Sequence, residues 1–522
     1  MLRRSYVSAA EGDARARAVG LADRVRDGRS PLDADIGERE VTTRVVLDTA
    51  DRRLRAAELD LAIETHEGSA TFVLDGPPGA RPLRAACARQ RRRYLVDDLP
   101  KGGLTERLAA VVGVRALLPL VEVRREDVPV SVLDGEAKTV VRLVVSDLWA
   151  LPKGSPKDSP EPLPLQGRVE VTGVLGYRRR FAEVDSAVRG EPHLASGTTT
   201  VVDEAVTALG GSPHGLPRQV RVDLDGDEPA GAAARRVLRG LADVVEAQVP
   251  GTLDDLDSEF LHDLRIAVRR SRSVLRQMKR AFDPVARRQQ ADSLRWIQAV
   301  TGPTRDLDVQ LLDWDELVAM VPADRRTALG PAHALLVEQR NAALRTMKAT
   351  LRSAEHRRRW TAWRLFLAVD PGGNDGPDAS TPIRKLARRR FTALSARIVR
   401  DGRALTADSP PEALHEVRKR GKELRFLFEL FGPSLWPASE VKPRVSALKG
   451  LQDVLGRYHD RHVQLDQLRA LAPELANRPG GPDALLAMGS LIDRLESDQR
   501  RAQAGVAERL EAFARLDPRG LT

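Results

Sequence analysis

The pattern of hydrophobic and polar positions changes once along the chain, near residue 230. Before that point, from Val41 to about Val184, apolar residues come in short β-branched runs that often alternate with polar ones and are separated by Gly, Pro and Asp turns. This pattern is typical of strands in an antiparallel sheet. One helix is predicted around Leu104–Val112. The predicted strands include residues 43–47, 59–63, 70–74, 139–145 and 168–172.

Beyond Ala230 the apolar residues recur with the 3.6-residue period of amphipathic helices. The pattern predicts an all-helical region over residues 230–517. The predicted helices cover residues 231–248, 254–281, 285–301, 305–320, 324–352, 355–369, 382–401, 410–431, 438–456, 459–472 and 482–515.

Two segments fit neither pattern. Residues 1–38 are rich in Ala, Arg and Asp and poor in large apolar side chains, which predicts a partly disordered tail or a frayed helix. Residues 206–229 carry several Gly and Pro residues, which predicts a linker. The expected order is therefore a tail, a β domain over 39–205, a linker and a helical domain.

Composition indicates a globular protein with an acidic partner. The chain has 522 residues, 42% of them hydrophobic, and a formal net charge of +10. Residues 1–220 hold 33 Lys and Arg against 32 Asp and Glu, whereas residues 221–522 hold 51 against 42. Nearly all the excess positive charge lies in the predicted helical half, so that half is expected to meet an anion.

Other features bear on location. The single Cys87 excludes an intramolecular disulfide and a Cys-based zinc site, and fits a reducing cytosol. No apolar stretch follows Met1 as in a secretory signal. The most apolar run, Leu108–Val123, is broken by Arg115 and Pro119, so no membrane-spanning helix is predicted. We expect a cytoplasmic protein without membrane contact.

A basic pattern occurs twice in the helical half. A histidine is followed by cations three, seven and ten residues later, and on a helix these four side chains fall within roughly 80° of arc. Such a stripe repels itself unless an anion lies along it. The first stripe is His262, Arg265, Arg269 and Arg272, and the second is His415, Arg418, Lys422 and Arg425.

A second matched segment supports an internal duplication. Gln298, Gly302, Arg305 and Asp306 recur as Gln452, Gly456, His459 and Asp460, in the same order and at nearly the same separation from the stripe. Each copy is about 150 residues, too long for a solenoid repeat. The duplication predicts two pseudo-symmetric helical bundles, about 230–370 and 380–517. The fold class is therefore α+β multidomain, with an antiparallel β domain followed by an all-α domain.

Arginine stripes suit phosphate chemistry. The guanidinium is planar, always charged and able to donate in a bidentate manner to phosphate oxygens. Groups stacked about 5.4 Å apart, one helical turn, could contact successive phosphates along a chain. Two alternatives to phosphate binding remain for the stripes. They could be a solvated cationic face, or a surface that packs against an acidic protein.

The histidines and two aspartates have several interpretations. His262 and His415 could donate to phosphate, ligate a metal or be structural, and neither has a second histidine four residues later. Asp306 and Asp308 are expected to begin a helix, where carboxylates complement the dipole. Pairing with the stripe arginines and a two-carboxylate Mg²⁺ site are the alternatives.

The stripes and the later segments, Arg305-Asp306-x-Asp308-Val309 and Leu451-Gln452-Asp453-x-Leu455-Gly456, resemble the CHAD domain over residues 230–516. The resemblance implies two helical bundles around a basic groove that binds inorganic polyphosphate. It implies the following phosphate contacts: His262, Arg265, Arg269, Arg270, Arg272, Arg276, Arg305, His415, Arg418, Lys419, Lys422, Arg425 and His459.

The predicted β domain is similar to the CYTH domain, a triphosphate tunnel fold, through residues 46–54, 117–124 and 168–171. Active members open with a Glu-x-Glu-x-Lys strand, but here Thr42 follows Glu38 and Glu40 where lysine belongs. The late acidic pair is reduced to Glu170. Without those groups a tunnel holds neither triphosphate nor Mg²⁺. The resemblance thus implies a degenerate domain with no catalytic residue, and Glu38, Glu40 and Glu170 as the remaining metal candidates.

The sequence therefore predicts a non-catalytic, cytoplasmic bacterial protein that binds polyphosphate, with polyphosphate granules as one place of association. No cofactor is expected, and Mg²⁺ or Mn²⁺ would be needed only if the CYTH-like half were active. The rival functions are a triphosphatase or nucleotide cyclase in that half, and nucleic-acid binding by the basic half. Aromatic content of 4% provides poorly for base stacking, which argues against nucleic acid. The oligomeric state is left open.

Overall fold

The structure of the chain is a computed structural model. It describes residues 2–8, 13–28, 31–66, 68–77, 80–152, 161–197, 199–369, 375–406 and 408–516. The chain divides into two compact units, Met1–Pro217 and Arg218–Thr522. The division falls within residues 206–229, the predicted linker. Among the described residues, no helix is both long and apolar enough to cross a bilayer.

The first unit is built on one antiparallel sheet of ten strands. The strands follow the order β10-β1-β9-β8-β7-β3-β4-β5-β6, and β2 pairs with β7. The strands are β1 (Arg3–Ser8), β2 (Asp33–Ile36), β3 (Glu40–Thr49), β4 (Asp60–His66), β5 (Ser69–Asp75), β6 (Leu83–Ala86), β7 (Leu117–Leu133), β8 (Thr139–Leu151), β9 (Leu163–Gly173) and β10 (Leu194–Ser196). The antiparallel sheet predicted from the alternating pattern is thus confirmed.

Five helices accompany the sheet. The predicted helix near Leu104–Val112 is present, whereas the other four were not predicted. The helices are α1 (Ala14–Arg26), α2 (Arg53–Ala56), α3 (Gly103–Val112), α4 (Arg178–Arg189) and α5 (Val201–Ala208). Helices α1 and α4 bury their apolar residues against valines on one face of β7, β8 and β9.

The described residues of the segment 1–38 do not form a tail. They form β1, α1 and β2, and β1 pairs with β9 over six residues. Helix α1 buries Ala14, Ala18, Leu21 and Val25. The small side chains of Ala14 and Ala18 are sufficient there because valines of the sheet fill the rest of the interface. The prediction of a partly disordered tail, which was based on the shortage of large apolar residues, was therefore wrong for these residues.

The second unit is all-helical, as predicted. Its helices are α6 (Ala230–Asp254), α7 (Ser258–Gln277), α8 (Pro284–Leu312), α9 (Trp314–Ala319), α10 (Gly330–Leu351), α11 (Ala354–Ala368), α12 (Ile383–Arg403), α13 (Pro411–Leu435), α14 (Ala438–Leu475), α15 (Gly481–Ala504) and α16 (Val506–Ala514). One large hydrophobic core joins residues of α6, α7 and α8 to residues of α12, α13 and α14.

Two long helices were predicted as pairs of shorter ones. Helix α8 continues through Pro303, although proline removes a backbone donor and usually ends a helix. The burial of Ile297, Thr301 and Thr304 on either side holds this stretch against the core. Asp306 and Asp308 consequently lie inside α8, so the prediction that they begin a helix was wrong.

Candidate anion-binding site

The two basic stripes lie on α7 and α13, where each predicted helix forms. On α7 the residues between the stripe positions, including Leu261, Leu264 and Val268, are buried in hydrophobic cores. The helix begins at Asp257, whose carboxylate accepts from the backbone N–H groups of Glu259 and Phe260. Burial of the apolar face fixes the rotation of α7, so its cations sit on the flank between core and solvent.

The stripes come close enough to act on one another. Arg269 of α7 lowers the pKa of both Arg418 and Lys422 of α13. Arg305 of α8 lowers the pKa of Arg265 and Arg269. We call the following half-buried side chains the cationic cluster: His262, Arg265, Arg269, Arg272, Arg305, His415, Arg418, Lys422 and His459.

Three cationic side chains of the cluster have no hydrogen-bond or ion-pair partner in the part of the chain that the structure describes. Among the residues that the structure describes, the side chains of Arg269, Arg272 and Lys422 form no hydrogen bond or ion pair. Burial is the main cause that lowers the pKa of each of them, and neighbouring cations lower it further. The pKa of Lys422 is lowered to about 7. Asp306 acts on Arg269 and Asp460 on Lys422, but neither carboxylate outweighs the cost of burial, and that cost falls when an anion binds.

Two other arginines of the cluster are anchored. The Nη1 group of Arg265 donates to the carbonyl of Gln298 at 2.8 Å and to Oγ1 of Thr301 at 2.8 Å. Burial lowers the pKa of Arg265 to about 10. In the second copy, Arg418 Nη2 contacts Asp460 Oδ1 at 3.2 Å. These contacts fix each guanidinium on α8 or α14 while leaving other N–H donors for a ligand.

The histidines lie at the end of each stripe. Burial and Arg305 lower the pKa of His262 to about 4. His415 and His459 face each other, with 3.4 Å between their Nδ1 atoms and 4.7 Å between ring centroids. Burial and Arg418 lower the pKa of His459 to about 3, and the pKa of His415 is lowered by the same causes. All three imidazoles are therefore neutral at neutral pH when no ligand is bound.

The remaining predicted contacts are engaged elsewhere. Arg270 pairs with Glu429 at 2.6 Å, and Arg276 Nε with Glu423 Oε1 at 2.7 Å. Both pairs join α7 to α13. Arg425 pairs with Glu429 at 3.4 Å, and Lys419 is exposed and pairs with Glu416. The partners of Arg270 and Arg276 lie on another helix and could not be read from the local pattern, whereas Lys419 and Arg425 pair with Glu416 and Glu429 at helical spacings of three and four residues.

The carboxylates that were considered as metal ligands have other roles. Asp308 accepts from Arg340 Nε at 2.9 Å, and Asp255 binds the same guanidinium. Asp306 acts electrostatically on Arg265 and Arg269. No group of three or more His, Cys, Asp or Glu residues in the described part of the chain is arranged to hold a metal ion. Pairing of these aspartates with arginines is the alternative that the structure favours.

Sequence reasoning did not single out Gln298 and Thr301 as supports of the stripe. Gln298 Nε2 also donates to the backbone carbonyl of Arg265 at 2.8 Å, so α7 and α8 are tied at this point in both directions. The recurrence of Gln298 as Gln452 was the available signal. In the second copy, both side-chain polar atoms of Gln452 are buried without a hydrogen-bond partner.

Residues 236–469 match the family model of the CHAD domain. The C-terminal half contains a CHAD domain. The matched range includes both stripes, Arg305 and His459, so the CHAD domain contains the whole cationic cluster. None of the curated proteins matches the chain.

Solved structures resemble parts of the chain. The CHAD domain from the plant Ricinus communis is 21% identical with a TM-score of 0.44, covering 59% of this chain and 98% of that one. PptA from Streptomyces chartreusis is 18% identical with a TM-score of 0.41, covering 55% and 99%. The PH1819 protein from Pyrococcus horikoshii OT3 is 9% identical with a TM-score of 0.23, covering 40% and 96%.

Proposed function

We propose that the CHAD domain binds inorganic polyphosphate along the cationic cluster. The observation that carries this proposal is the set of three desolvated cations, Arg269, Arg272 and Lys422, without a protein partner in the described residues. Asp306 acts on Arg265 and Arg269, and Asp460 acts on Arg418 and Lys422, so each of these carboxylates faces two cations. A polymer with one negative charge per phosphate would supply the missing counter-charge along both stripes.

The thirteen predicted contacts divide by their roles. The nine members of the cationic cluster have free donors or lone pairs and would contact phosphate oxygens. Arg270 and Arg276 would hold α7 against α13 through Glu429 and Glu423. Arg425 and Lys419 are paired within α13 and would contribute long-range attraction.

Binding should be strongly electrostatic. Polyphosphate carries a condensed counterion atmosphere, and the cations that replace those counterions release them into solution. Affinity should therefore fall linearly with salt on logarithmic axes, by analogy with nucleic-acid backbones. A slope corresponding to several released ions would agree with contact along both stripes.

Charge reversal tests the proposal. We expect R265E/R269E, or R418E/K422E, to abolish measurable polyphosphate binding in calorimetric titrations with defined chain lengths, while circular dichroism shows the helices intact. R345E/R352E is the matched control, because both arginines are exposed on or just after α10, which carries no cluster residue. The proposal would be contradicted if R265E/R269E and R418E/K422E bound polyphosphate as tightly as R345E/R352E. Competition with RNA and DNA at physiological salt would reveal nucleic acid as the better ligand if that rival were correct.

We further propose that the sheet domain is CYTH-like and does not catalyse triphosphate hydrolysis. Glu38 and Glu40 are exposed, and Glu170 pairs with Arg3 at 2.5 Å. Arg44 pairs with Asp75 at 2.9 Å and Arg125 with Asp127 at 2.5 Å, so these cations are already neutralised. Phosphate release from triphosphate with Mg²⁺ or Mn²⁺ tests this. Turnover that is lost in Glu38→Ala would contradict it.

A cytoplasmic protein with this activity would associate with polyphosphate granules. A fluorescent fusion should concentrate on granules in cells that accumulate polyphosphate, and R418E/K422E should spread evenly. A wild-type fusion that stays diffuse beside granules would contradict the association.

A further inference from the structure

The two copies of the duplicated motif differ at one position of the cationic cluster. Where the first copy has Arg305 on α8, the second has His459 on α14. Each of these residues lies beside the histidine that opens its stripe: Arg305 acts on His262, and His459 faces His415. The first copy therefore has a fixed positive charge beside its histidine, and the second copy has a titratable group.

The geometry of the second copy allows one proton to be shared. With 3.4 Å between the two Nδ1 atoms, one imidazole can donate Nδ1–H to the other, which leaves one Nε2 as donor and the other as acceptor. A neutral pair thus presents one donor to a phosphate. Addition of one proton makes the pair cationic and places N–H on both Nε2 atoms.

The surroundings oppose this proton until an anion arrives. On α13, the groups that act on the pair are Arg418, Lys419, Lys422 and the opposing Glu416. On α14, they are His462 and the nearby Asp460, which pairs with Arg418. The neighbouring elements add Arg269 of α7, which acts on Arg418, and Asp313 at the end of α8, which acts on Asp460.

Glu412 of α13 acts on Tyr458, next to His459. Burial, followed by the nearby cations, lowers the pKa of both imidazoles, and the carboxylates do not offset this, so the free pair is neutral.

We propose that the His415–His459 pair is a proton-binding site that takes up one proton when polyphosphate binds, which makes affinity rise as pH falls. The inference rests on the proposed function. A phosphate placed against the pair reverses the local potential, so the imidazolium form becomes favourable. The Arg305 copy needs no such proton, because its charge is permanent. The two ends of the site therefore differ in their response to pH.

Exchange of the two residues provides the test. In the full-length chain, long-chain polyphosphate is titrated by calorimetry between pH 6 and 8 in buffers of different ionisation enthalpy, which gives the number of protons taken up. We expect up to one proton at the pair, which corresponds to at most about a tenfold gain in affinity per pH unit. H459R should remove this uptake and retain tight binding at pH 8, and R305H should add to it. H459Q should remove the uptake and bind weakly at both pH values.

The outcomes separate this inference from the proposed function. If neither wild type nor H459R binds polyphosphate, the proposed function is wrong and the proton site falls with it. If both bind and take up the same number of protons, polyphosphate binding stands and the proton site is wrong. Lys422 and His262 also have lowered pKa values and can take up protons when the anion binds. This uptake, like that of the polyphosphate chain ends, is present in wild type and in H459R, so the difference between the two proteins reports on the His415–His459 pair.

Discussion

The sheet domain and the CHAD domain both contain buried or half-buried arginines, but the arginines of the two domains differ in whether they have a carboxylate partner. In the sheet domain Arg44, Arg125 and Arg168 each contact a carboxylate from the same or a neighbouring element. In the CHAD domain Arg269, Arg272 and Lys422 have no such partner among the described residues. The comparison indicates that anion binding depends less on the number of cations than on whether carboxylates of the same protein already neutralise them.

The largest expected effect comes from adding a carboxylate to the cationic cluster beside Arg269. R272E places a glutamate one turn after Arg269 on α7, where it can pair with that guanidinium. We expect polyphosphate affinity to fall on the order of 100-fold, since a contact is lost and a repulsion is gained. Thermal stability should rise at the same time, because a desolvated cation acquires a partner. R272Q, which removes the cation alone, is the matched control and should lose less affinity. A drop in stability for R272E would show that Arg269 is already compensated.

The converse experiment removes a paired cation from the sheet domain. Arg168 is 4% exposed and contacts Glu204 at 2.5 Å. R168M should lower the free energy of unfolding of this domain by about 2 kcal/mol, because Glu204 loses its partner while remaining partly hydrated. Denaturant unfolding measures this change. Polyphosphate affinity should stay within about twofold of wild type, and a larger loss would mean that the sheet domain takes part in binding.

Replacement of Lys422 by an apolar residue should stabilise the protein. Its pKa is lowered from 10.5 to about 7 in the folded protein, so the unfolded chain holds more protons between these values. Wild-type stability should therefore increase as pH rises from about 7 towards 10, and K422M should lack this increase. At pH 6 we expect K422M to be more stable by on the order of 1 kcal/mol. Parallel pH profiles of Tm for the two proteins would contradict the unpaired state of Lys422.

The smallest expected difference lies between two neighbours on α7. Arg269 belongs to the cluster, whereas Arg270 pairs with Glu429 and lies 5.1 Å from the ring centroid of Phe426. R269Q should lower polyphosphate affinity by about tenfold, in keeping with one lost charge-assisted contact, and should raise Tm slightly because a desolvated cation is removed. R270Q should lower Tm by a few degrees with a smaller loss of affinity. If R269Q and R270Q changed affinity and Tm by the same amounts, the distinction between arginines that contact polyphosphate and arginines that support the fold would be wrong.

The sequence was sufficient to predict elements whose stability comes from a regular apolar pattern. The strands of the sheet, most helices of the CHAD domain and the alignment of each stripe on one helix followed from that pattern. Tertiary partners did not follow from it. Glu429 and Glu423 lie roughly 150 residues away from Arg270 and Arg276, and no local rule links them.

Two errors have related physical causes. Residues 1–38 were expected to be a tail because their apolar residues are small, but the sheet supplies the larger partners. Helix α8 was expected to break at Pro303, but burial on both sides keeps the chain helical. In both places packing against distant residues overrode the local preference.

The central claim is that unpaired cations of the CHAD domain, and not its net charge, bind polyphosphate. The most direct measurement compares wild type, R269E/K422E and R345E/R352E in one polyphosphate titration at one salt concentration. The two variants change the formal charge equally. We predict that R269E/K422E loses at least about 100-fold in affinity and that R345E/R352E stays within a few fold of wild type. Equal losses in the two variants would contradict the claim.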